Sequence, residues 1–517
     1  MGEIVTTFVR STVRQVRNRF RALGPMAEEH PLQGAIRWIR ANRLPGQGIV
    51  PYPGAEVATQ EVTGYIIPSL YRVGEKELAR EFVRWEASVQ RRDGAVAAID
   101  GVAYTFDTSQ AARGFLAVLN DIPAMEDNLR RACDYIAGQI DADGVVHTPS
   151  YDTWRFEDGT MLSEYGNLYV LPPLVEAGER LGEERWIDAA RRAMDRYRRL
   201  PDLVTFKPDM STLSHYFGYM MEALVDLGEL DLARQGLRQA EEIQREDGAI
   251  PAFPGVDWVC STGLAQLAIA WYKLGIAGPA DRAMGYLEGL QNRSGGFFGS
   301  YGDGARYFPQ QEISWAAKFF IDAYCLRIAS DFDREVGLYE PTIAETDGRV
   351  RALMEHLGDL NGKRVLDVGC GKGRYLRVLR QQWPDARLHG VDVSRQMLAA
   401  CPDGVEVSQG TMLDLHYPDA SFDAVYTVEA LEHAVLVENA LRELARVLRP
   451  GGALMIIDKD AAQLGRLAIK PWERWFRPRE IARLLERYGV HASYEMVAHG
   501  GEATPDGLFV AWKGIKL

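Results

Sequence analysis

The stretch Arg364-Val365-Leu366-Asp367-Val368-Gly369-Cys370-Gly371-Lys372-Gly373-Arg374 constrains the fold more than any other part of the chain. Val365, Leu366 and Val368 form an apolar run as long as one buried parallel strand. Gly369, Gly371 and Gly373 follow at alternate positions. Without a Cβ they permit a tight turn and let the backbone approach a ligand. Helical composition resumes from Arg374 to Gln381. Strand, glycine loop and helix together open an α/β crossover of the nucleotide-binding type. The spacing is GxGxG, whereas a pyrophosphate loop usually reads GxGxxG. Asp367 also places negative charge where a dinucleotide needs positive potential. The pattern suits a ligand that carries its own cationic amino group.

Further motifs follow in order. Leu388 to Asp392 reads as a second strand ending in an acid, and Ser408 to Met412 follows a third. Phe422 to Tyr426 reads as the fourth strand, with Glu429-Ala430-Leu431-Glu432-His433 after it. A helix from Leu441 to Leu448 is stopped by Arg449-Pro450-Gly451-Gly452. Ala453 to Ile457 is the fifth strand, and Asp506 to Trp512 supplies a reversed last strand that completes a seven-stranded sheet. In this order the motifs resemble the class I S-adenosylmethionine (SAM)-dependent methyltransferases, over the last third of the chain.

The resemblance implies an α/β Rossmann-like domain with SAM as cofactor. Asp367 would face the amino group, and Gly369, Cys370, Gly371 and Gly373 would form the loop. Asp392 would hold the ribose, since one carboxylate can accept from both hydroxyls. Val393, Thr411 and Met412 would surround the adenine, with Glu429 beyond the fourth strand. Thr411 departs from the family, which commonly has Asp there to bond the adenine amino group. Adenine recognition then falls to backbone groups, with Met412 and Val393 packing on the ring.

The family's sulfonium is already activated, so catalysis is chiefly alignment of an acceptor. An alcohol acceptor also needs a base. His433, with an ordinary pKa of about 6.5, and Glu429 are the candidates; a structural role for the Leu-Glu-His stretch is the other reading. Lys459 and Trp472 are candidates for acceptor binding. The alternatives are a solvated loop lysine and an aromatic segment, 470–476, that packs on the helical region. No metal cluster is apparent.

Residues 30–330 read as paired helices. Four helix ends share a glutamine followed by a glycine turn: Gln90 with Gly94, Gln139 with Gly144, Gln244 with Gly248, and Gln291 with Gly295 and Gly296. The glycines recur at about 50 residues, a period that indicates a repeated supersecondary unit. One wider gap suits an altered copy near Leu200-Pro201-Asp202. Helix pairs are expected at 60–73 with 77–91, 108–120 with 125–140, 163–179 with 183–198, 211–227 with 230–245, and 259–274 with 279–292. A helix at 312–328 would pair with one at 34–43 and close an (α/α)6 toroid. The glutamine–glycine turns resemble repeats of terpenoid cyclases, and the overall pattern resembles helical barrels of polysaccharide lyases and six-hairpin glycosidases.

One set of helix starts carries aromatic and polar residues. Ser, Thr and Asp there are ordinary caps, but caps do not explain the accompanying Trp, Tyr, Gln and His. The candidate ligand contacts are Asp107, Trp154, His215, Tyr216, Trp258, Glu312 and Trp315. Hydrogen-bonding groups with ring faces suit a sugar. Asp107, Glu157, Asp158 and Glu312 are possible acid/base carboxylates should the toroid be a glycan hydrolase or lyase. The loop 151–158 reads as a lid. No DxDD-type cluster supports a terpenoid ligand.

The 517 residues carry a net charge of −13, which argues against nucleic acid as a partner. The five scattered cysteines indicate neither a disulfide framework nor a zinc site and point to the cytoplasm. Val5, Phe8, Val9, Val13, Val16 and Phe20 share one face of a basic N-terminal helix, read as a docking element in preference to a membrane anchor. The expected organisation is multidomain: the basic helix at 1–29, the toroid at 30–330, a linker at 331–345 and the methyltransferase domain at 346–517. The expected function is SAM-dependent methylation of a saccharide or glycan acceptor, in polysaccharide biosynthesis, recognised in part by the barrel. A lipid, quinone or terpenoid acceptor with the toroid as scaffold, or a bifunctional enzyme, are the alternatives.

Overall fold

The computed structural model describes residues 29–150 and 164–517. The basic N-terminal helix, Trp154, Glu157, Asp158 and the expected lid lie outside the described residues. Two compact units emerge, one of residues 31–330 and one running from Asp331 to Leu517. No described helix is long and apolar enough to cross a membrane.

The first unit is helical. Its helices are α1 (Pro31–Ala41), α2 (Gln60–Arg72), α3 (Lys76–Val89), α4 (Thr105–Ala117), α5 (Glu126–Gly138), α6 (Leu171–Leu181), α7 (Glu184–Tyr197), α8 (Ser214–Asp226), α9 (Leu230–Glu242), α10 (Ser261–Lys273), α11 (Ala277–Leu290) and α12 (Ser314–Arg334). A 3-10 stretch, Glu164–Val170, leads into α6. The elements alternate in character. α2, α4, α8 and α10 are buried on nearly every side, as helices packed among other elements are. α3, α5, α7, α9 and α11 bury only a stripe, such as Leu78, Ala79, Phe82, Val83 and Glu86 of α3.

The buried helices meet at glycines. A Cβ on Gly64 of α2 would stand 2.5 Å from the Gln110 carbonyl carbon of α4, and one on Gly218 of α8 would stand 2.6 Å from Gln266 Cβ of α10. Gly64→Ala is therefore expected to destabilise the unit. The clash is with backbone, and overpacking of about 1–3 kcal/mol outweighs the roughly 1 kcal/mol that alanine gains in helix propensity. A lower denaturation midpoint for the helical transition is the expected result; an unchanged or higher one would contradict this packing.

Three of the four glutamine–glycine turns share one stereochemistry; in the fourth, Gly144 is also left-handed (φ 79°), but Asp141 closes the turn by accepting from Asp143 N and Val145 N, each at 2.9 Å. Gln90 Nε2 donates to the carbonyls of Gly94 (3.0 Å) and Asn128 (2.9 Å). Gln244 Nε2 donates to Gly248 (3.1 Å) and Pro279 (3.0 Å), and Gln291 Nε2 to Gly295 (2.9 Å) and Pro31 (2.9 Å). Each of these three glutamines thus ties its own turn to a neighbouring helix. Their glycines have φ of 93°, 94° and 95°, a left-handed backbone open to glycine at little strain. They lie so close to the neighbouring helix that a Cβ would meet the carbonyls of Arg131, Arg282 and Gly34 at 2.1, 2.1 and 2.0 Å. The last of these contacts lands on α1, the first helix. At the altered copy, Asp202 takes the left-handed conformation (φ 62°), and the glutamine comes from the next helix: Gln239 Nε2 donates to Val204 O at 2.6 Å.

The second unit is a seven-stranded sheet with helices on both faces. The strands are β1 (Arg364–Val368), β2 (Arg387–Asp392), β3 (Glu406–Gln409), β4 (Phe422–Val428), β5 (Leu448–Lys459), β6 (Val490–Val497) and β7 (Phe509–Lys516), in the order β3-β2-β1-β4-β5-β7-β6. β7 runs antiparallel to both neighbours, as the reversed last strand was expected to do. Leu353, Leu376 and Leu379 cover one face, from helices α13 (Gly348–Leu357) and α14 (Arg374–Gln382). Leu441, Leu444, Ile481 and Leu485 cover the other, from α15 (Val437–Val447) and α16 (Pro478–Arg487). Strand order reverses between β1 and β4. The crevice at the carboxyl ends of these strands is where such sheets bind ligands.

Candidate cofactor and acceptor site

The glycine loop joins β1 to α14, and its three glycines adopt φ of 76°, 52° and 70° at Gly369, Gly371 and Gly373. A Cβ on Gly369 would lie 2.4 Å from Ala430 Cβ and 3.7 Å from Met412 Cε, so the loop nests against the ends of β3 and β4. Asp392, at the end of β2, anchors it. One carboxylate oxygen accepts from Gly371 N (2.8 Å) and the other from Ser394 N (2.9 Å). Each oxygen keeps a lone pair for a further donor. Burial raises the Asp392 pKa, while these backbone bonds oppose the rise.

Asp367 sits within β1, 2% exposed, with one carboxyl oxygen lacking a partner. Burial pushes its pKa well above the usual range, and the facing Tyr426 phenol acts in the opposite sense. Burial thus favours the neutral carboxyl, and a cation placed beside it favours the carboxylate. Cofactor binding is therefore expected to release a proton below that raised pKa, and affinity to grow as pH rises towards it. Calorimetry in buffers of differing ionisation enthalpy should detect the proton, and Asp367→Asn should abolish it. Proton uptake, or release that persists in the variant, would overturn this assignment.

Cys370 is buried beside Gly390, and Val393 O accepts from Gln409 Nε2 at 3.0 Å. The Thr411 hydroxyl accepts from Leu413 N at 3.2 Å, so it shapes its own turn.

Glu429 does not fit the role of base. Its backbone is left-handed (φ 54°), a strained state for a non-glycine residue of the kind concentrated at functional sites. Its carboxylate is gripped by Arg349 Nη1 (2.5 Å) and Arg374 Nη2 (2.7 Å). Despite burial, these guanidiniums hold its pKa below the usual value. A carboxylate so stabilised is a weak proton acceptor. Lys459 likewise is not free to bind an acceptor: it is buried and ion-paired to Glu432. Trp472 is 5% exposed, and its indole Nε1 has no partner.

His433 is better placed. Its Nε2 lies 3.5 Å from Glu432 Oε1, and its Nδ1 is buried without a partner. Burial, with Lys459 and Lys470 nearby, pushes the imidazole down to about 3, so it stays neutral. The Phe332 ring stands edge-on to it at 4.9 Å. Phe332 belongs to the expected linker, yet that segment is part of this site. Asp333 accepts from Ser394 Oγ (2.6 Å), and Lys470 pairs with Asp331 at 2.7 Å. Arg349, Arg374, Phe332 and Asp333 were not foreseen; the position of Arg374 just after the glycine loop was the one local hint.

Of the ligand contacts expected in the helical unit, Asp107, His215, Tyr216 and Trp315 converge. His215 and Tyr216 lie 5.7 and 6.3 Å from Tyr307, whose hydroxyl accepts from Trp315 Nε1 at 3.1 Å. Trp258 is buried against Phe253 instead. Glu312 is a structural joint, accepting from Trp38 Nε1 (2.5 Å), Asn292 Nδ2 (2.8 Å) and the Ser294 hydroxyl. A possible metal-ligand group that the sequence did not suggest, His499, Glu502 and Asp506, lies between β6 and β7, with Asp506 paired to Arg466 at 2.6 Å.

Residues 366–456 match the family described as "Methyltransferase domain". The chain is 36% identical over 134 residues to a fatty-acid O-methyltransferase of Mycolicibacterium smegmatis, covering 25% of this chain and 47% of that protein. It is 34% identical over 136 residues to 27-O-demethylrifamycin SV methyltransferase of Amycolatopsis mediterranei, covering 24% and 48%. The chain therefore spans about half the length of these curated relatives. A SAM-dependent methyltransferase of Thermotoga maritima, described as a possible histamine N-methyltransferase, is similar in structure at 23% identity, covering 37% of this chain and 100% of that one, with a TM-score of 0.31.

The C-terminal unit is a class I, Rossmann-like SAM-dependent methyltransferase domain. S-adenosyl-L-methionine is its cofactor, and the positive-φ glycines, the anchored Asp392 and the partly unpartnered Asp367 carboxyl fit it.

Proposed function

We propose that this protein transfers the methyl group of SAM to a hydroxyl of a saccharide-type acceptor in the cytoplasm, and that its helical unit is a closed (α/α)6 toroid that helps to recognise that acceptor. The observation that carries the transfer is a neutral, unpartnered His433 Nδ1 at the strand ends that also bear the glycine loop and Asp392. SAM supplies a methyl group already activated on sulfonium. Asp392 would hold the ribose hydroxyls, and Asp367 would face the cationic end. His433, with Nε2–H turned towards Glu432, presents Nδ1 to accept a hydrogen bond from the acceptor hydroxyl and align it; with its pKa pushed down to about 3 the imidazole orients the hydroxyl and does not carry its proton away. Phe332 limits water around the imidazole. Closure of the toroid is supported by the last glutamine–glycine turn docking on α1. The saccharide class is supported by the aromatic and hydrogen-bonding residues of the inner helices.

The named substrates of the relatives favour a rival, an apolar acceptor with the helical unit as scaffold. Transfer from labelled SAM should be screened across sugar nucleotides, oligosaccharides and prenyl-linked glycans, with fatty acids and sterols as competitors. A glycan product is expected, with kcat reduced roughly tenfold to 100-fold in His433→Gln through lost alignment of the acceptor and SAM binding unchanged. Transfer confined to the apolar set would reject the saccharide reading.

A further inference from the structure

The helical unit gathers polar and aromatic side chains into one buried cluster, a polar chamber in chemistry, on the helices proposed above to recognise the acceptor. Its walls follow from the glycine crossings. α2 and α4 touch at Gly64 and Gln110, and the residues one turn earlier on each, Glu61 and Asp107, are left as neighbours. α8 and α10 touch at Gly218 and Gln266, and one turn earlier His215 Nδ1 reaches Gln266 Oε1 at 2.7 Å. His215 then centres an aromatic wall, with ring centroids at 4.6 Å to Tyr219, 5.1 Å to Tyr216, 5.7 Å to Tyr307 and 6.3 Å to Phe319. Tyr219 continues it to Tyr169 (4.5 Å) and Phe106 (5.2 Å), and Tyr65 meets Phe319 at 5.6 Å. Glu61, Phe106, Tyr216 and Trp315 keep partial access to solvent, marking the mouth.

The polar groups of this chamber satisfy one another only in part. Gln266 Nε2 and Gln60 Oε1 are buried with no hydrogen-bond partner, and the Tyr219 phenol, beside both the Tyr65 hydroxyl and the Glu61 carboxyl, makes no well-aligned bond to either. Tyr65, Tyr219 and Gln266 are 1%, 3% and 0% exposed. Among the described residues neither Glu61 nor Asp107 makes an ion pair. Lys318, on the same wall, is paired with Asp322 at 2.9 Å and lies over the Phe319 and Tyr65 rings. Burial pushes Glu61 up to about 7, and raises Asp107 well above the carboxylate range. Buried polar groups without partners are costly, and several in one place need a specific explanation.

Their chemistry narrows the ligand. Gln60 Oε1 needs a donor, Gln266 Nε2 needs an acceptor, and the two phenols can do either. An ammonium ion offers donors alone. An anion offers acceptors alone and would face two carboxyl groups. A run of hydroxyls offers both, and its C–H faces pack on aromatic rings. We propose that this chamber binds a neutral, hydroxyl-rich ligand of the saccharide class, hydrogen-bonded by Glu61, Asp107, Tyr65, Tyr219 and Gln266. This rests on, and deepens, the reading above that the helical unit recognises a saccharide acceptor, by naming the residues that would hold it.

The test uses the full chain without SAM. Calorimetric titration with maltotriose, cellotriose and triacetylchitotriose, and with tetramethylammonium as a cationic control, should show binding of a trisaccharide. Tyr219→Phe removes one hydroxyl and keeps the ring, and Glu61→Gln keeps the shape of the side chain. Each should weaken trisaccharide binding at least tenfold without lowering the melting temperature. Absence of trisaccharide binding, binding indifferent to both changes, or binding of tetramethylammonium instead would overturn the proposal. Because SAM is absent, failure here removes saccharide recognition by the helical unit and leaves methyl transfer by the C-terminal unit standing, whereas failure of transfer leaves the chamber standing.

Discussion

Asp392→Ala is expected to weaken SAM binding roughly 100-fold or more, since hydrogen bonds to a charged group contribute about 1.5–3 kcal/mol each and at least two are lost. The carboxylate has two tasks. It fastens the glycine loop through Gly371 N and the β2 end through Ser394 N. It also offers the remaining lone pairs to the ribose hydroxyls. Alanine removes both, so the loop loses its anchor together with the ligand's acceptor. Asp392→Asn separates the tasks, because one amide oxygen can still accept while the NH2 group repels a donor. Calorimetry should rank wild type above Asn and Asn above Ala. Circular dichroism should remain unchanged, because the strands of the sheet do not depend on this side chain. An alanine variant that binds SAM as wild type does would remove Asp392 from the site.

The parts of the site legible in the sequence are those whose chemistry is local. The glycines of the loop and the acid at the end of β2 declare themselves within a few residues, and the apolar runs mark the strands. The glutamine–glycine turns were visible because Gln90, Gln244 and Gln291 each close their own turn before reaching the next helix. What could not be read depends on partners far along the chain. Arg349 is 80 residues from Glu429, and nothing near Glu429 announces two guanidiniums or a left-handed backbone. Lys459 resembles an exposed loop lysine until Glu432 is set beside it. Glu61 stands two residues after Thr59 in the first turn of α2, where an acid is ordinary. Its importance appears once the Gly64 crossing places it next to Asp107. Phe332 and Asp333 were assigned to a linker because Pro341 and the acidic run suggested a break, yet they pack on His433 and Ser394.

Glu312→Ala is expected to destabilise the helical unit by about 3–5 kcal/mol, summing about 1–3 kcal/mol for each donor that loses its acceptor and allowing for partial access to water. The donors come from three places: Trp38 of α1, Asn292 of the last glutamine–glycine turn, and Ser294 two residues on. Glu312 therefore fastens the first helix to the final turn, beside the point where Gln291 and Gly295 already meet α1. Trp38 is 1% exposed, so its indole N–H cannot recover the bond from bulk water. The two units are not expected to unfold as one transition, so hydrogen exchange is the better measurement. Peptides spanning 31–41 and 291–296 should lose protection in Glu312→Ala well before those of α8 and α10. Glu312→Gln should fall between the variant and wild type, since its oxygen still accepts while its NH2 group opposes one of the three donors. A carboxylate serving a ligand would behave otherwise: both variants would keep wild-type protection at 31–41, and trisaccharide binding would be the property lost.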